Sequence, residues 1–403
     1  MTKSLETVGC GDGYCYNIED LRTKEYPYLK GSVYLDHAGT TLYANSLLKS
    51  FSSDMMSKLY GNPHSMSSSS QRSTKLIDDV RLRTLAFFNA GPDEYDLVFV
   101  ANATSAIKLV AESFRDLDSR GFWYGYHVDS HTSLVGMREL AKIGYQCLGD
   151  GDVDDWISKP CVESSSTTSL FAFPAQQIRA AAGEGEGNVF SLLDAASFVS
   201  TAPLDVNEVA PDFVALSFYK IFGYPDLGAL IVRKSAAHAL ERRQFFGGGT
   251  VDMVGRHGDH FGRQVACKKQ TSIHERLEDG TLPFHNIIAL GAALDTHKRL
   301  YGSMASISVH TGRLAKQAYD SLSTLRHFNG TKACHMYRSE YGDLKLQGPI
   351  MAFNLQDSRG NWIPKTEVEK LAATRNIHLR SGSVCNPGGT ASSLGWAHTD
   401  LRR

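Results

Sequence analysis

The sequence is short of the features that mark several protein classes. Its 403 residues carry no apolar run long enough to span a bilayer. There is almost no charge imbalance: the formal net charge is −1, which argues against general attraction to nucleic acid or to an anionic membrane. The opening residues, MTKSLETVGCGDGYC, lack the apolar core of a secretory signal, so a cytoplasmic location is expected. Cys10, Cys15, Cys147, Cys161, Cys267, Cys334 and Cys385 are scattered without a C-x-x-C pair. An odd number without a signal does not read as a disulfide framework. GEGEG (183–187) does not open a helix after a strand and is no dinucleotide fingerprint. His257, Asp259 and His260 cluster in a polar loop without a further partner in view, so no metal site is expected. No internal repeat is found.

What is present suits a large folded enzyme. The chain exceeds the length at which one hydrophobic core usually stops growing, and 42% hydrophobic residues can fill a large domain and a smaller one. Apolar runs at 32–37, 96–102, 168–174, 189–195, 212–218 and 228–233 predict buried strands. Helical periodicity fills 46–60, 74–89, 103–116 and 133–144. This alternation predicts an α/β fold, a mainly parallel sheet with helices on both faces and ligands at the carboxyl ends of its strands. After about residue 290 a helix (305–325), a strand (349–355) and another helix (365–376) predict a smaller α+β domain, with polar loops at 149–167 and 326–347. The expected division is an N-terminal arm (1–30), a large domain (31–290) and a small C-terminal domain (291–403) that carries the loop LRSGSVCNPGG (379–389). The serine-rich stretch 65–73 is too short to be a linker of any reach.

Four positions at predicted strand ends bear chemistry. Lys220 follows a strand in SFYKIFGYPDLGALIVR (217–233), where partial desolvation suits a Schiff-base lysine; alone it would read as a surface lysine. Asp194 ends the strand of FSLLDAASF (190–198), where its carboxylate could meet a protonated pyridine nitrogen or cap a helix. Ala103, Thr104 and Ser105 open a helix after a strand, suiting a phosphate or a plain cap. His131 could lie on a flat cofactor or be structural. Together they describe a lysine, an aspartate, a phosphate cradle and a stacking ring.

The ordered motifs GNPHS (61–65), ANATSA (101–106), SHTSLVGMRE (130–139), LLDAASFVST (192–201), LSFYKIFGYPDLGALIVR (216–233), FFGGGTV (245–251) and LRSGSVCNPGG (379–389) resemble the cysteine desulfurases. With YLDHAGTTLY (34–43) the likeness is closest to the desulfurase-like N-terminal domain of molybdenum cofactor sulfurases, and it covers roughly residues 17–395. The resemblance implies a fold-type I pyridoxal phosphate enzyme with a seven-stranded type of sheet, assembled as a homodimer. It implies Lys220 as the Schiff-base lysine, Asp194 as the pyridine-nitrogen partner and His131 as the stacking ring. Thr104, Ser217 and Tyr219 would hold the phosphate, with Ala103 and Gln176 also at the cofactor. Thr250 would reach the partner subunit's cofactor. His37, Ala38 and Arg380 fall on the substrate side.

Cys385 matches the cysteine that takes sulfur from L-cysteine as a persulfide while alanine leaves. Gly382, Pro387, Gly388 and Gly389 suit a flexible thiol beside the cation Arg380, whose fork could alternatively pair with a substrate carboxylate. The sequence departs from the family's pattern in three places. It ends at Arg403, before the strand that bears the family's carboxylate-binding arginine and before any second, cofactor-binding domain. An asparagine expected after Gln176 is replaced near Ile178, and Ser383 stands where close relatives often have a second cysteine. The competing readings are a C–S lyase or epimerase acting on a modified amino acid, and a catalytically silent scaffold that the pairing of Lys220 with Asp194 disfavours.

Overall fold

The computed structural model describes residues 17–117, 119–153, 167–175, 188–254, 266–269, 272–344, 347–382 and 385–395. Its centre is a seven-stranded sheet of β2 (Tyr95–Val100), β3 (Trp123–His127), β4 (Gly144–Leu148), β5 (Ser169–Pro174), β6 (Val189–Asp194), β7 (Phe213–Ser217) and β8 (Gly228–Arg233), ordered β2-β8-β7-β6-β5-β3-β4. Neighbours pair in parallel from β4 through to β7, and β8 runs antiparallel to both β7 and β2. The expected α/β architecture is therefore present, with a single reversed strand.

Alternation along the strands explains why both faces are covered. On β7, Val214 and Leu216 join one buried cluster while Phe213 and Ala215 join the other. The first cluster takes in Ile77, Val80 and Leu85 of the helix Ser68–Phe87 and Ile287, Leu290 and Leu294 of the helix Phe284–Tyr301. The second packs Ala106, Ile107, Val110 and Phe114 of the helix Ala103–Leu117 against the opposite face. Spacings of three and four residues place these side chains on one stripe of the helix. Each fully buried large apolar side chain contributes on the order of 1.5–3 kcal/mol.

Several predicted elements differ in the structure. SVYLDH is not a buried strand of the sheet: only Val33–Tyr34 is extended (β1), pairing in parallel with β13 (Ile377–His378), and Leu35 is 62% exposed. The helix predicted from 74 starts at Ser68, because Ser67 caps it through Ser70 N–H and the buried hydroxyls of Ser70 and Ser73 find local partners. The helix predicted over 133–144 breaks into short turns at Thr132–Val135 and Gly136–Leu140 before β4 begins. The segment read as loop at 326–347 contains β11 (Cys334–Met336), antiparallel to β12 (Phe353–Leu355). A hairpin of β9 (Val251–Val254) and β10 (Ala266–Lys268) stands apart from the main sheet. The helix Phe284–Tyr301 runs through position 290, and the helices Met304–Ser323 and Lys365–Thr374 follow it.

Candidate active site

Strand direction decides where the reactive groups gather. β2, β3, β6 and β7 all point one way, so Ala103, His131, Asp194 and Lys220 emerge at the same edge of the sheet. Ser217 ends β7, and its buried Oγ accepts the Ala103 N–H at 2.9 Å, which ties the helix Ala103–Leu117 to the lysine strand. Ser217 keeps its hydroxyl proton for another acceptor. Asn102, not singled out in the sequence, accepts the Ser105 N–H at 3.0 Å and so takes the capping role that could have fallen to Thr104. The Thr104 hydroxyl instead meets Ser133 Oγ at 2.8 Å.

Ser133 extends this polar line to His131. His131 Nδ1 accepts the Ser133 N–H at 3.1 Å and lies 3.0 Å from its hydroxyl. An Nδ1 that accepts a backbone N–H leaves the proton of the neutral ring on Nε2. Burial lowers the His131 pKa, the Asp194 carboxylate raises it, and the Lys220 cation lowers it further. The neutral ring is favoured.

Asp194 is buried and makes one hydrogen bond to a described residue, accepting Ala196 N–H at 3.1 Å through Oδ1. Burial pushes its carboxyl up, against the Ala196 N–H and the charges of His131 and Lys220. Lys220 makes no hydrogen bond to a described side chain; burial lowers its amine, Asp194 and Cys385 pull it up, and Arg380 pushes it down. A buried acceptor with an oxygen to spare, a desolvated amine and a neutral imidazole are the donor set that a protonated pyridine bearing an aldehyde requires. The residues fit pyridoxal phosphate.

The cysteine loop reaches this edge from the other end of the chain. The Cys385 carbonyl accepts the Thr132 N–H at 3.0 Å, beside His131, and the thiol is exposed. The helix Pro387–Leu394 docks so closely that a Cβ on Gly388 would stand 2.2 Å from the Val128 carbonyl oxygen. Gly382 has a φ of 95°, a left-handed conformation that costs glycine little. Arg380 turns its fork to Asp36, with Nε 2.7 Å from Oδ1 and a terminal nitrogen 3.1 Å from Oδ2, and this pairing raises its pKa. Asp36 escaped the sequence reading although it stands inside YLDHAGTTLY, since nothing local reveals a partner in the last tenth of the chain.

The strap that carries Asp36 lies over the lysine turn. The Tyr219 carbonyl accepts the Thr41 N–H and the Thr40 hydroxyl, both at 3.3 Å. His37 and Ala38 sit in the turn closed by Gly39 N–H to the Asp36 carbonyl, with His37 Nδ1 2.8 Å from Thr41 Oγ1. Burial lowers the His37 pKa, and Asp36 raises it. Thr250 is not brought to this cluster: its side chain is fully buried and its hydroxyl donates to the Gly247 carbonyl at 2.8 Å. Gln176, Ile178, Ser383, Arg403 and the His257–His260 cluster lie outside the described residues. Among the described residues no group of three metal-ligating side chains gathers, and no helix is long and apolar enough to cross a membrane.

Comparison with known proteins agrees with this geometry. The aminotransferase class-V family matches residues 33–146 and 162–396. The molybdenum cofactor sulfurase of Aspergillus fumigatus is 59% identical over 416 aligned residues, covering 98% of this chain and 49% of that protein. The chain thus spans about half the length of the curated relatives it matches. An apo cysteine desulfurase from Thermococcus onnurineus superposes with a TM-score of 0.72 at 20% identity, covering 94% of this chain and 90% of the other. A cysteine desulfurase from Escherichia coli gives 0.71 at 21%, covering 94% and 92%. At those identities the likeness is one of fold, the fold-type I architecture expected from the motifs.

Proposed function

The chain belongs to the class-V aminotransferase family, and within it we propose a pyridoxal phosphate-dependent sulfurtransferase that moves sulfur from L-cysteine onto Cys385 and releases alanine. The observation that carries this reading is the Cys385 loop, fixed by its carbonyl at Thr132 next to His131, on the sheet edge where Lys220 also emerges. A lyase or an epimerase has no need of such a thiol.

The cofactor, when bound, supplies an electron sink for the substrate carbon that loses its proton. Asp194 would hold it through the ring nitrogen, His131 along its face, Lys220 through the aldehyde, and Thr104, Ser217 and Tyr219 at the phosphate. The lowered amine of Lys220 suits it to take a proton from the substrate Cα and return one to the product. Cys385 Sγ forms a bond to the substrate sulfur as the sulfur–Cβ bond breaks. The chain then carries Cys–S–SH and the carbon skeleton leaves as alanine, with atoms and protons conserved. Packing through the apolar side chains Phe245, Met253 and Val254 would pair two chains.

The test is a single turnover of the cofactor-loaded protein with L-cysteine, measuring alanine and Cys385-bound persulfide together. Equal amounts of the two are expected, with Cys385→Ser losing both. Alanine without persulfide would overturn the transfer.

A further inference from the structure

The contact between Asp36 and Arg380 is built rather than incidental. Both nitrogens of one guanidinium edge meet both carboxylate oxygens, at 2.7 and 3.1 Å. The turn beneath has no side chain in the way, because a Cβ on Gly39 would stand 2.0 Å from an Arg380 terminal nitrogen. Arg380 makes no other hydrogen bond to a described residue, and its charge lowers the pKa of Lys220. A planar fork at this place is what the α-carboxylate of an amino acid would seek. It already holds a carboxylate.

We propose that Asp36 is a latch that mimics the substrate: its carboxylate occupies the Arg380 fork until the α-carboxylate of the incoming amino acid displaces it. The inference rests on the proposed amino-acid substrate. Release is feasible because the Asp36 side chain is already 25% exposed and the Arg380 side chain 56%, so water can receive the freed carboxylate. The turn survives the exchange, since Gly39 and Thr40 N–H bond the Asp36 backbone carbonyl. Asp36 is therefore a specificity-determining residue that sets a threshold for carboxylate-bearing substrates.

The test uses the pyridoxal phosphate-loaded protein and L-alanine, which carries the carboxylate but no sulfur to transfer. Ethylamine, which lacks the carboxylate, is the control. Asp36→Asn is expected to bind L-alanine about two- to fivefold more tightly, the range set by losing an exposed competing ion pair. Ethylamine binding should not move. Adding Arg380→Ala to Asp36→Asn should erase the gain. Asp36→Ala repeats the measurement if the asparagine variant melts earlier than wild type. L-Alanine binding that is unchanged, weaker or absent in the single Asp36 variants, or a gain that persists when Arg380→Ala is added, overturns the latch and leaves the pair a mere anchor. Because no sulfur moves in this experiment, a failed persulfide assay with a positive alanine shift would reject the sulfur transfer and spare the latch.

Discussion

Burial acts on Lys220 and Asp194 in opposite chemical senses, toward a neutral amine and a neutral acid, and the charge each retains resists the shift of the other. Both positions were legible because a strand end followed by a polar residue marks a ligand edge in an α/β sheet. Asp36 was not, since its partner is distant in sequence and no spacing rule links them. His297 is a buried residue of another kind. Its ring lies among Phe87, Phe222 and Tyr301 at centroid distances of 5.5, 5.5 and 5.2 Å, and Nε2 has no partner among described residues. Burial alone pushes its pKa down from 6.5 to about 4. A depressed histidine binds its proton more readily unfolded than folded, so its contribution is intact above about pH 6.5 and is lost as pH falls toward 4. Denaturant titrations should therefore show wild type losing up to about 1.4 kcal/mol more per pH unit in that window than His297→Phe.

At the level of elements, continuous apolar runs revealed the inner strands β5 through β8 and the buried edge strand β2, because both faces of each are covered. β3 was missed: its aromatic run is broken by Gly125, where a Cβ would stand 2.9 Å from Trp123 and 3.0 Å from Phe171. β4 was missed because, unlike the edge strand β2, it is mostly exposed. A joint between elements was invisible too. Arg81 of the helix Ser68–Phe87 makes a bidentate pair with Glu278 at 2.7 and 3.0 Å, Glu278 also accepts the Phe99 N–H of β2 at 2.7 Å, and both side chains are 6% exposed. Removing one member strands a buried charge. Glu278→Ala should lower unfolding free energy by about 3–5 kcal/mol in urea, while the apolar double replacement Arg81→Met with Glu278→Leu should cost far less. Equal losses in the two variants would show that the pair itself holds these elements together.

For the whole molecule, three of the exposed apolar side chains lie around one turn. Phe245, Met253 and Val254 flank the Gly247–Thr250 turn and are 64%, 55% and 54% exposed, and Gly249 in that turn faces the ring of His64, two residues from the exposed Met66. Such a patch favours association. Sedimentation should find a dimer, and Met253→Asp with Val254→Asp should shift it to monomer; a wild-type monomer at micromolar concentration would refute the pairing. The division of labour along the chain has a consequence for biosynthesis. Asp194 ends β6 and Lys220 follows β7, strands whose partners all precede residue 234, whereas Asp36 meets Arg380 across 344 residues and Val33 pairs with Ile377. Contacts of such long loop closure form slowly and last. On the ribosome, the strands that position the lysine and the aspartate are therefore complete more than 150 residues before Cys385 is made.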